Sequence, residues 1–286
     1  MKRPNHFKHF SLTTVWLWLF IFALLPFALM IVASLLDHNE THIVMLPFTL
    51  ENYTQLNHVI YLHIFARSLI IASFATLFCL LLGYPFAYLI GRMQNVRWKN
   101  LLMLLVIIPF WTSSLIRSYA LIAMIKAKGI INAILLALGL IHQPLALLFS
   151  NTAVMIGLVY NLLPFMILPI ITNVERLDNR LIDAARDLGA NQITTFRKVI
   201  IPLTMPGIIA GCILVFLPAM TIFYIPDILG GAKSVLVGNL IQNQFLVVQN
   251  WPFGSAISTV LTLILATFIL IYHLASRSNK KKQEWL

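Results

Sequence analysis

Charged residues are scarce in this sequence of 286 residues: they make up 10% of the chain, whereas hydrophobic residues make up 60%. Soluble globular domains usually carry about 25% charged residues. The mean hydropathy of +0.89 points in the same direction. The composition therefore excludes a soluble globular protein and indicates an integral membrane protein.

The sequence also lacks the motifs of common catalytic sites. It contains no G-x-x-x-x-G-K-[ST] phosphate loop, no dinucleotide-binding fingerprint, no G-x-S-x-G elbow and no H-E-x-x-H helix. We therefore expect that the chain is not an enzyme, does not hydrolyse ATP itself and needs no cofactor.

Residues that form disulfides or bind metals are few. Cys79 and Cys212 lie in apolar segments without metal-ligand spacing, so we interpret them as small buried hydrophobic residues without a redox role. Residues 37–66 contain four histidines, which we do not interpret as a zinc site. No bound metal is expected.

Six hydrophobic stretches are long enough to cross a bilayer, which requires about 20 mostly apolar residues in a helix. They cover approximately residues 12–36, 67–90, 100–125, 147–171, 205–228 and 253–275. Their length predicts an all-α, polytopic membrane protein with six transmembrane helices in one domain, residues 1–286. The first stretch has no small-residue cleavage site, so we interpret it as a retained span rather than a signal peptide.

The net charge of +11 is distributed in a pattern typical of membrane topology. Most basic residues lie at the two termini, between the second and third stretches, and between the fourth and fifth stretches. The positive-inside rule therefore places both termini and the loop between the fourth and fifth stretches, residues 175–204, in the cytoplasm. Because topology explains the positive charge, no nucleic-acid partner is expected.

A long polar segment, residues 178–202, separates the fourth and fifth stretches. Apolar residues from 177 to 188 recur with a 3.6-residue period and predict a helix, which Asp178 can cap. Gly189 suits the left-handed residue that ends such a helix, Asn191 can cap a second helix, and Pro202 is expected to end it. The segment is therefore predicted to form a helix, a tight turn and a helix.

Small and acidic side chains characterise the first of these helices. Ala184 and Ala185 leave room for another backbone to approach closely. Asp183 and Asp187 form a like-charge pair at i, i+4, which mildly destabilises an isolated helix and favours a binding partner. By pattern alone, an amphipathic helix pair lying on the membrane surface is an alternative.

A polar cluster in the third stretch includes Trp111 and Arg117, together with neighbouring aromatic and hydroxyl side chains. A charge inside a membrane span is a candidate functional residue. In the alternative interpretation, Arg117 lies near the outer interface, where it snorkels or pairs with a neighbouring subunit.

A second cluster, at the outer end of the fifth stretch, consists of Phe223, Tyr224 and Asp227. Aromatic faces beside one carboxylate suit an organic cation, through cation–π attraction and charge pairing. The i, i+4 spacing places Phe223 and Asp227 on one face if the helix continues past Pro226. An interfacial aromatic belt with an acid at the end of the helix is the alternative.

The polar segment resembles the EAA loop of ATP-binding-cassette (ABC) importer permeases. That family has the pattern EAA, G and I-x-L-P. The corresponding residues here are Asp183-Ala184-Ala185, Gly189 and Val199-x-Ile201-Pro202, so Asp replaces Glu, Val replaces Ile and Ile replaces Leu. The chain is also similar to permeases of bacterial spermidine/putrescine importers at residues 82–85, 108–112, 185–190, 202–208 and 251–254. The resemblance thus covers nearly the whole chain.

This resemblance implies a type I importer permease in the bacterial inner membrane that translocates polyamines. The implied partners are a second, similar permease, two cytoplasmic ATPase subunits and a periplasmic polyamine-binding protein. Segment 175–204 would be the coupling helix that rests in a groove of the ATPase. The coupling residues would be Asp183, Ala184, Ala185, Gly189 and Pro202, and the substrate pathway would include Trp111, Arg117, Phe223, Tyr224 and Asp227.

Other kinds of membrane protein are possible alternatives. A permease of the same family for another small solute would carry the same loop. A secondary transporter normally has membrane-buried acids for ion coupling, whereas every acid here except Asp227 lies in a loop or a tail. A membrane-embedded enzyme would need catalytic groups clustered in the spans.

Overall fold

The computed structural model describes residues 6–39, 42–231 and 234–283. Helices dominate these residues, and the only regular strands among them, β1 Asp37–Asn39 and β2 His42–Met45, form a short antiparallel pair. The α-helices are α1 His6–Leu19, α2 Leu25–Ser34, α3 Glu51–Gln55, α4 Val59–Gly91, α5 Val96–Ile107, α6 Ser114–Ile125, α7 Ile130–Ala137, α8 Asn151–Glu175, α9 Asn179–Asp187, α10 Gln192–Thr195, α11 Ile201–Thr221, α12 Val237–Leu246 and α13 Trp251–Gln283. The predicted all-α fold is confirmed.

Six candidate membrane spans occur among the described residues, as the sequence predicts. They cover Phe10–Ser34, Val59–Gly91, Ser114–Ala137, Asn151–Glu175, Gln192–Thr221 and Trp251–Leu270. The third and the fifth differ most from the predicted stretches. In both, a proline acts differently from the sequence-based expectation.

The predicted third span, residues 100–125, is broken in the structure. α5 is followed by a 3-10 turn, Ile108–Trp111, and the backbone is extended at Thr112 before α6 begins. Pro109 lies in this turn and has no N–H to continue a helix. Its carbonyl accepts hydrogen bonds from the amide and the hydroxyl of Thr112, at 3.3 and 2.9 Å. The candidate span is instead Ser114–Ala137, which combines α6 and α7.

The predicted fifth span, residues 205–228, has different ends in the structure. α10 continues through a π turn, Phe196–Ile200, directly into α11, so the expectation that Pro202 ends a helix is wrong. The π turn rearranges the backbone hydrogen bonds just before Pro202, where a missing N–H can then be tolerated. At the other end, α11 stops at Thr221, and a second π turn, Pro226–Gly230, follows the break.

Two compact units make up the chain. Unit 1 contains Met1–Leu62 and Leu240–Leu286, and unit 2 contains His63–Asn239. Both units contain residues of the candidate spans. One transmembrane domain over residues 1–286 stays a prediction.

In unit 1, α2 and α3 both pack against α13, and α3 is hydrogen-bonded to the C-terminal end of α2. The buried Asn52 donates hydrogen bonds from its Nδ2 to the carbonyls of Ser34 and Leu36, at 3.1 and 2.8 Å. The hydroxyl groups of Ser34 and Tyr53 are hydrogen-bonded at 2.6 Å. These bonds satisfy carbonyls that the end of a helix leaves without an internal partner.

In unit 2, α8 packs along α11 at a short distance. A Cβ atom on Gly207 would lie 2.8 Å from the carbonyl oxygen of Pro169, and one on Gly211 would lie 2.7 Å from the sulfur of Met166. Small residues four apart allow such close packing of membrane helices. The polar segment therefore connects two helices that are tightly packed together.

Candidate functional site

The polar segment between α8 and α11 begins each of its helices with a predicted cap. Asp178 Oδ1 accepts a hydrogen bond from the N–H of Arg180 at 2.9 Å, at the start of α9. Asn191 Oδ1 accepts from the N–H of Thr194 at 2.8 Å, at the start of α10. Both caps are confirmed, and each satisfies an N–H group that the first helical turn leaves unpaired.

Gly189 joins the two helices with a φ of +81°, which confirms the predicted left-handed residue. Its N–H donates to the carbonyl of Arg186 at 2.8 Å, and the N–H of Ala190 donates to the carbonyl of Ala185 at 3.0 Å. These two bonds form the Schellman pattern of a helix C-terminus. A Cβ atom on Gly189 would meet no heavy atom within 4 Å, so glycine is required for backbone conformation and not for space.

The turn exposes apolar and small side chains. Leu188 is 89% exposed and Ile193 is 70% exposed. Ala184 is also exposed, Ala185 is half-buried, and the exposed Asp183 lies beside them. This surface has the apolar and small residues that a complementary groove could cover.

Both ends of the polar segment are attached to other helices of unit 2. The carboxylate of Glu175, the last residue of α8, lies 2.8 Å from Nζ of Lys99 on α5. Phe196, in the π turn before α11, packs edge-on against Tyr84 and Tyr88 of α4, with ring centroids 5.7 and 6.1 Å apart. The polar segment is therefore in contact with α4 and α5 as well as being continuous with α8 and α11.

The predicted cluster at the end of α11 is present, although the helix itself stops at Thr221. Asp227 is exposed, Phe223 is 41% exposed, and the rings of Phe223 and Tyr224 meet edge-on with centroids 6.0 Å apart. The N–H of Asp227 donates to the carbonyl of Phe223 at 3.2 Å, so one helical turn spans Pro226. The three side chains thus belong to one short turn that follows a break in the helix.

A buried asparagine contacts this cluster. Asn239 is 7% exposed, and its Nδ2 donates both to the carbonyl of Phe223, at 2.7 Å, and to a carboxylate oxygen of Asp227. Its Oδ1 accepts from the N–H of Leu236 at 3.2 Å. The sequence carries little signal for these contacts, because the partners are 12 and 16 residues away across a break.

Arg117 is buried in unit 2, with 9% of its surface exposed. Its guanidinium carbon lies 5.3 Å from the centroid of the Phe110 ring, and its Nε has no hydrogen-bond partner among the described residues. This burial argues against the snorkelling alternative, because the side chain packs inside the protein. Trp111, by contrast, is 79% exposed. α6, which carries Arg117, packs against the π turn that carries Asp227, so the two predicted clusters lie on adjoining elements.

Asn161 is a further buried polar residue, in the middle of α8. Its Nδ2 donates to the carbonyl of Gly157 at 3.0 Å and to Oγ of Ser118 at 3.4 Å. Its Oδ1 has no hydrogen-bond partner in the part of the chain that the structure describes. An amide within an otherwise apolar span is a recognisable sequence signal for such a site.

The family of inner membrane components of binding-protein-dependent transport systems matches residues 83–280 of this chain. The chain belongs to this permease family. The match includes the polar segment, both candidate clusters and most of the membrane spans. The predicted family and its location in an inner membrane are thereby confirmed.

Known relatives extend the similarity to nearly the whole permease. This permease is 47% identical over 280 residues to the spermidine/putrescine transport system permease protein PotB of Haemophilus influenzae, with 98% of each chain covered. It is 49% identical over 267 residues to the protein of the same name from Escherichia coli (strain K12), which covers 93% of this permease and 97% of that relative.

A solved structure shows the same fold. The crystal structure of a bacterial alginate ABC transporter, in complex with an alginate pentasaccharide-bound periplasmic protein, contains a chain with a TM-score of 0.78 to the permease. The match covers 96% of the permease and 94% of that chain at 13% identity, so it concerns the fold alone. The predicted importer-permease fold is confirmed.

The remaining candidate ligand residues of the permease are dispersed. No group of three or more His, Cys, Asp or Glu side chains that could hold a metal ion occurs among its described residues. Cys79 is buried and Cys212 is half-buried, and both are free thiols.

Proposed function

We propose that this permease translocates polyamines such as spermidine and putrescine across the bacterial inner membrane as one subunit of an ATP-driven importer. The observation that carries the proposal is the identity of 47% and 49%, over nearly full length, to two permeases named for spermidine/putrescine transport. The chain itself is a transport subunit and leaves ATP hydrolysis to separate subunits.

The cluster of Phe223, Tyr224 and Asp227 supports a cationic substrate. A desolvated ammonium group over an aromatic ring gains about 2 kcal/mol, and an exposed carboxylate adds an attraction that salt partly screens. Contacts of this strength orient a passing polycation without trapping it. We therefore assign this cluster to the outer part of the substrate pathway.

Arg117 and Trp111 have different roles in this proposal. Arg117 is a cation, so it does not bind the polyamine directly; its packing on Phe110 organises the outer part of the pathway instead. The exposed ring of Trp111 is available to line the pathway.

The polar segment supports coupling to ATPase subunits in the cytoplasm. Its exposed turn can enter a groove of the ATPase, and its anchored ends carry the movement into the helices of unit 2. The proposed coupling residues are Asp183, Ala184, Ala185, Gly189 and Pro202. A second similar permease, two ATPase subunits and a periplasmic polyamine-binding protein would complete the importer, with both termini of this chain in the cytoplasm.

The experiment that tests the proposal is spermidine uptake into proteoliposomes that contain the complete transporter and its binding protein. We expect uptake to require ATP. We expect Asp227→Asn, which keeps the shape and removes the charge, to reduce uptake while the complex still assembles. Glu51→Gln is the matched control, because it removes an exposed acid at the start of α3.

Three outcomes would contradict parts of the proposal. Uptake without ATP would indicate a secondary transporter. ATP-dependent uptake of another solute, without uptake of polyamines, would overturn the substrate assignment. If Asp227→Asn matched the parent at all polyamine concentrations, the cluster would be an interfacial aromatic belt.

A further inference from the structure

One buried amide contacts both functional elements of the outer cluster. We propose that Asn239 is a positioning residue that sets the distance and orientation between the Phe223 ring and the Asp227 carboxylate, and thereby the affinity for the substrate cation. This inference rests on the proposed function, since it assumes that Asp227 meets a cation.

The amide of Asn239 has a fixed orientation because each of its polar atoms has a partner. One Nδ2 group donates to the backbone carbonyl of Phe223 and to one oxygen of the Asp227 carboxylate. The Oδ1 atom accepts from the N–H of Leu236, so a flipped amide would place a donor against a donor. The side chain therefore acts as a rigid spacer between the two residues.

The Asp227 carboxylate is held on one side and open on the other. Its side chain has no further hydrogen bond to the described residues, and it is exposed. A carboxylate accepts several hydrogen bonds, so the amide leaves lone pairs for an ammonium group. A carboxylate fixed in this way loses less conformational freedom when it binds a cation than a freely rotating one.

Gly238 allows the amide to reach the cluster. A Cβ atom at this position would lie 2.4 Å from the carbonyl oxygen of Thr221, the last residue of α11. The start of α12 therefore lies directly against the break after α11. Asn239 is the next residue, and its side chain reaches Phe223 and Asp227 on the far side of that break.

The test is a double-mutant cycle on spermidine uptake by the complete transporter. Asn239→Ala removes the amide and should raise KM by about 2- to 12-fold, because the released carboxylate must then be immobilised when it binds the cation. The maximal rate and the yield of assembled complex should change little. In an Asp227→Asn background the same substitution should leave KM unchanged, because Asn239 would act through the charge.

Asn243→Ala is the matched control. Asn243 lies one turn further along α12, is exposed, and bonds to its neighbours through its backbone carbonyl. It should leave KM at the parent value. If Asn239→Ala lowers the yield of complex, Asn239→Ser replaces it, since a hydroxyl is too short to contact both partners.

Each outcome separates the inference from the proposed function. An unchanged KM in the Asn239 variant, together with a raised KM in Asp227→Asn, would overturn the positioning role and leave the proposed pathway intact. An Asn239 effect of equal size with and without the Asp227 charge would show a structural role only. An unchanged KM in Asp227→Asn would instead refute the pathway assignment itself.

Discussion

The turn at Gly189 allows a sharp test of the coupling segment, because the structure separates backbone cost from steric cost. The residue has a φ of +81°, and a Cβ atom there would meet no heavy atom within 4 Å. A side chain therefore adds only the strain of the left-handed backbone region. We expect stability of the turn to fall in the order Gly, Asn, Ala, Val, since asparagine tolerates this region best and β-branched residues worst.

The magnitude follows from the left-handed conformation. It costs an ordinary residue roughly 1 to 2 kcal/mol relative to glycine, which lowers the population of the native turn by about 5- to 30-fold. Gly189→Val should therefore weaken ATPase docking strongly, and Gly189→Asn only slightly. The assay is co-purification of the ATPase with the tagged permease, combined with polyamine uptake by the same preparation.

Gly139 is the matched control for this substitution. It follows α7 with a φ of +69°, and a Cβ atom there would also meet nothing within 4 Å. Gly139→Val carries the same backbone cost outside the polar segment, so it should leave ATPase co-purification unchanged. If Gly189→Val retained the ATPase like the parent, or if both valine variants lost it equally, the turn at Gly189 would not be part of the docking surface.

Four further substitutions test other parts of the permease. Arg117→Ala should lower uptake more than membrane insertion, because it removes the buried cation that packs on Phe110; uptake at the parent rate would show that this packing is dispensable. Asp183→Lys reverses an exposed charge of the coupling segment and should weaken ATPase co-purification; unaltered binding would restrict docking to the glycine and the alanines. Tyr84→Phe and Thr204→Val each break the buried hydroxyl contact of 3.0 Å between these residues, so each should lower the stability, and the two losses should overlap by about 0.6 kcal/mol, the average coupling energy of such contacts in a membrane protein. Full additivity of these two losses in the thermal stability of the purified complex would show that the contact contributes nothing.

Two prolines occupy positions at which the structure differs from the sequence-based prediction. The sequence predicts that Pro202 ends a helix, but the helix continues through it because a π turn precedes it. The hydrophobic pattern predicts one continuous span through Pro109, but this residue lies in a 3-10 turn where that span breaks. A proline removes one N–H in every case. Whether the helix bends, widens or stops depends on the hydrogen bonds that neighbouring groups can make.

The sequence by itself determined the number of spans, the membrane class and the local form of the coupling segment. These features depend on short-range properties: hydrophobic length, capping at Asp178 and Asn191, and the backbone freedom of Gly189. Each can be recognised from residues that are a few positions apart. The resemblance to importer permeases rested on the same local spacing, which is why the family was recognisable.

Only the tertiary structure decided which distant residues meet. The amide of Asn239 reaches Asp227 across a helix break because the start of α12, at Gly238, lies directly against the end of α11. The burial of Arg117 likewise depends on the helices around it, since the sequence around this residue is equally compatible with a side chain at the membrane interface and with one inside the protein. Such contacts arise from the packing of whole helices, and hydrophobic periodicity within one helix contains no information about which partner it will pack against.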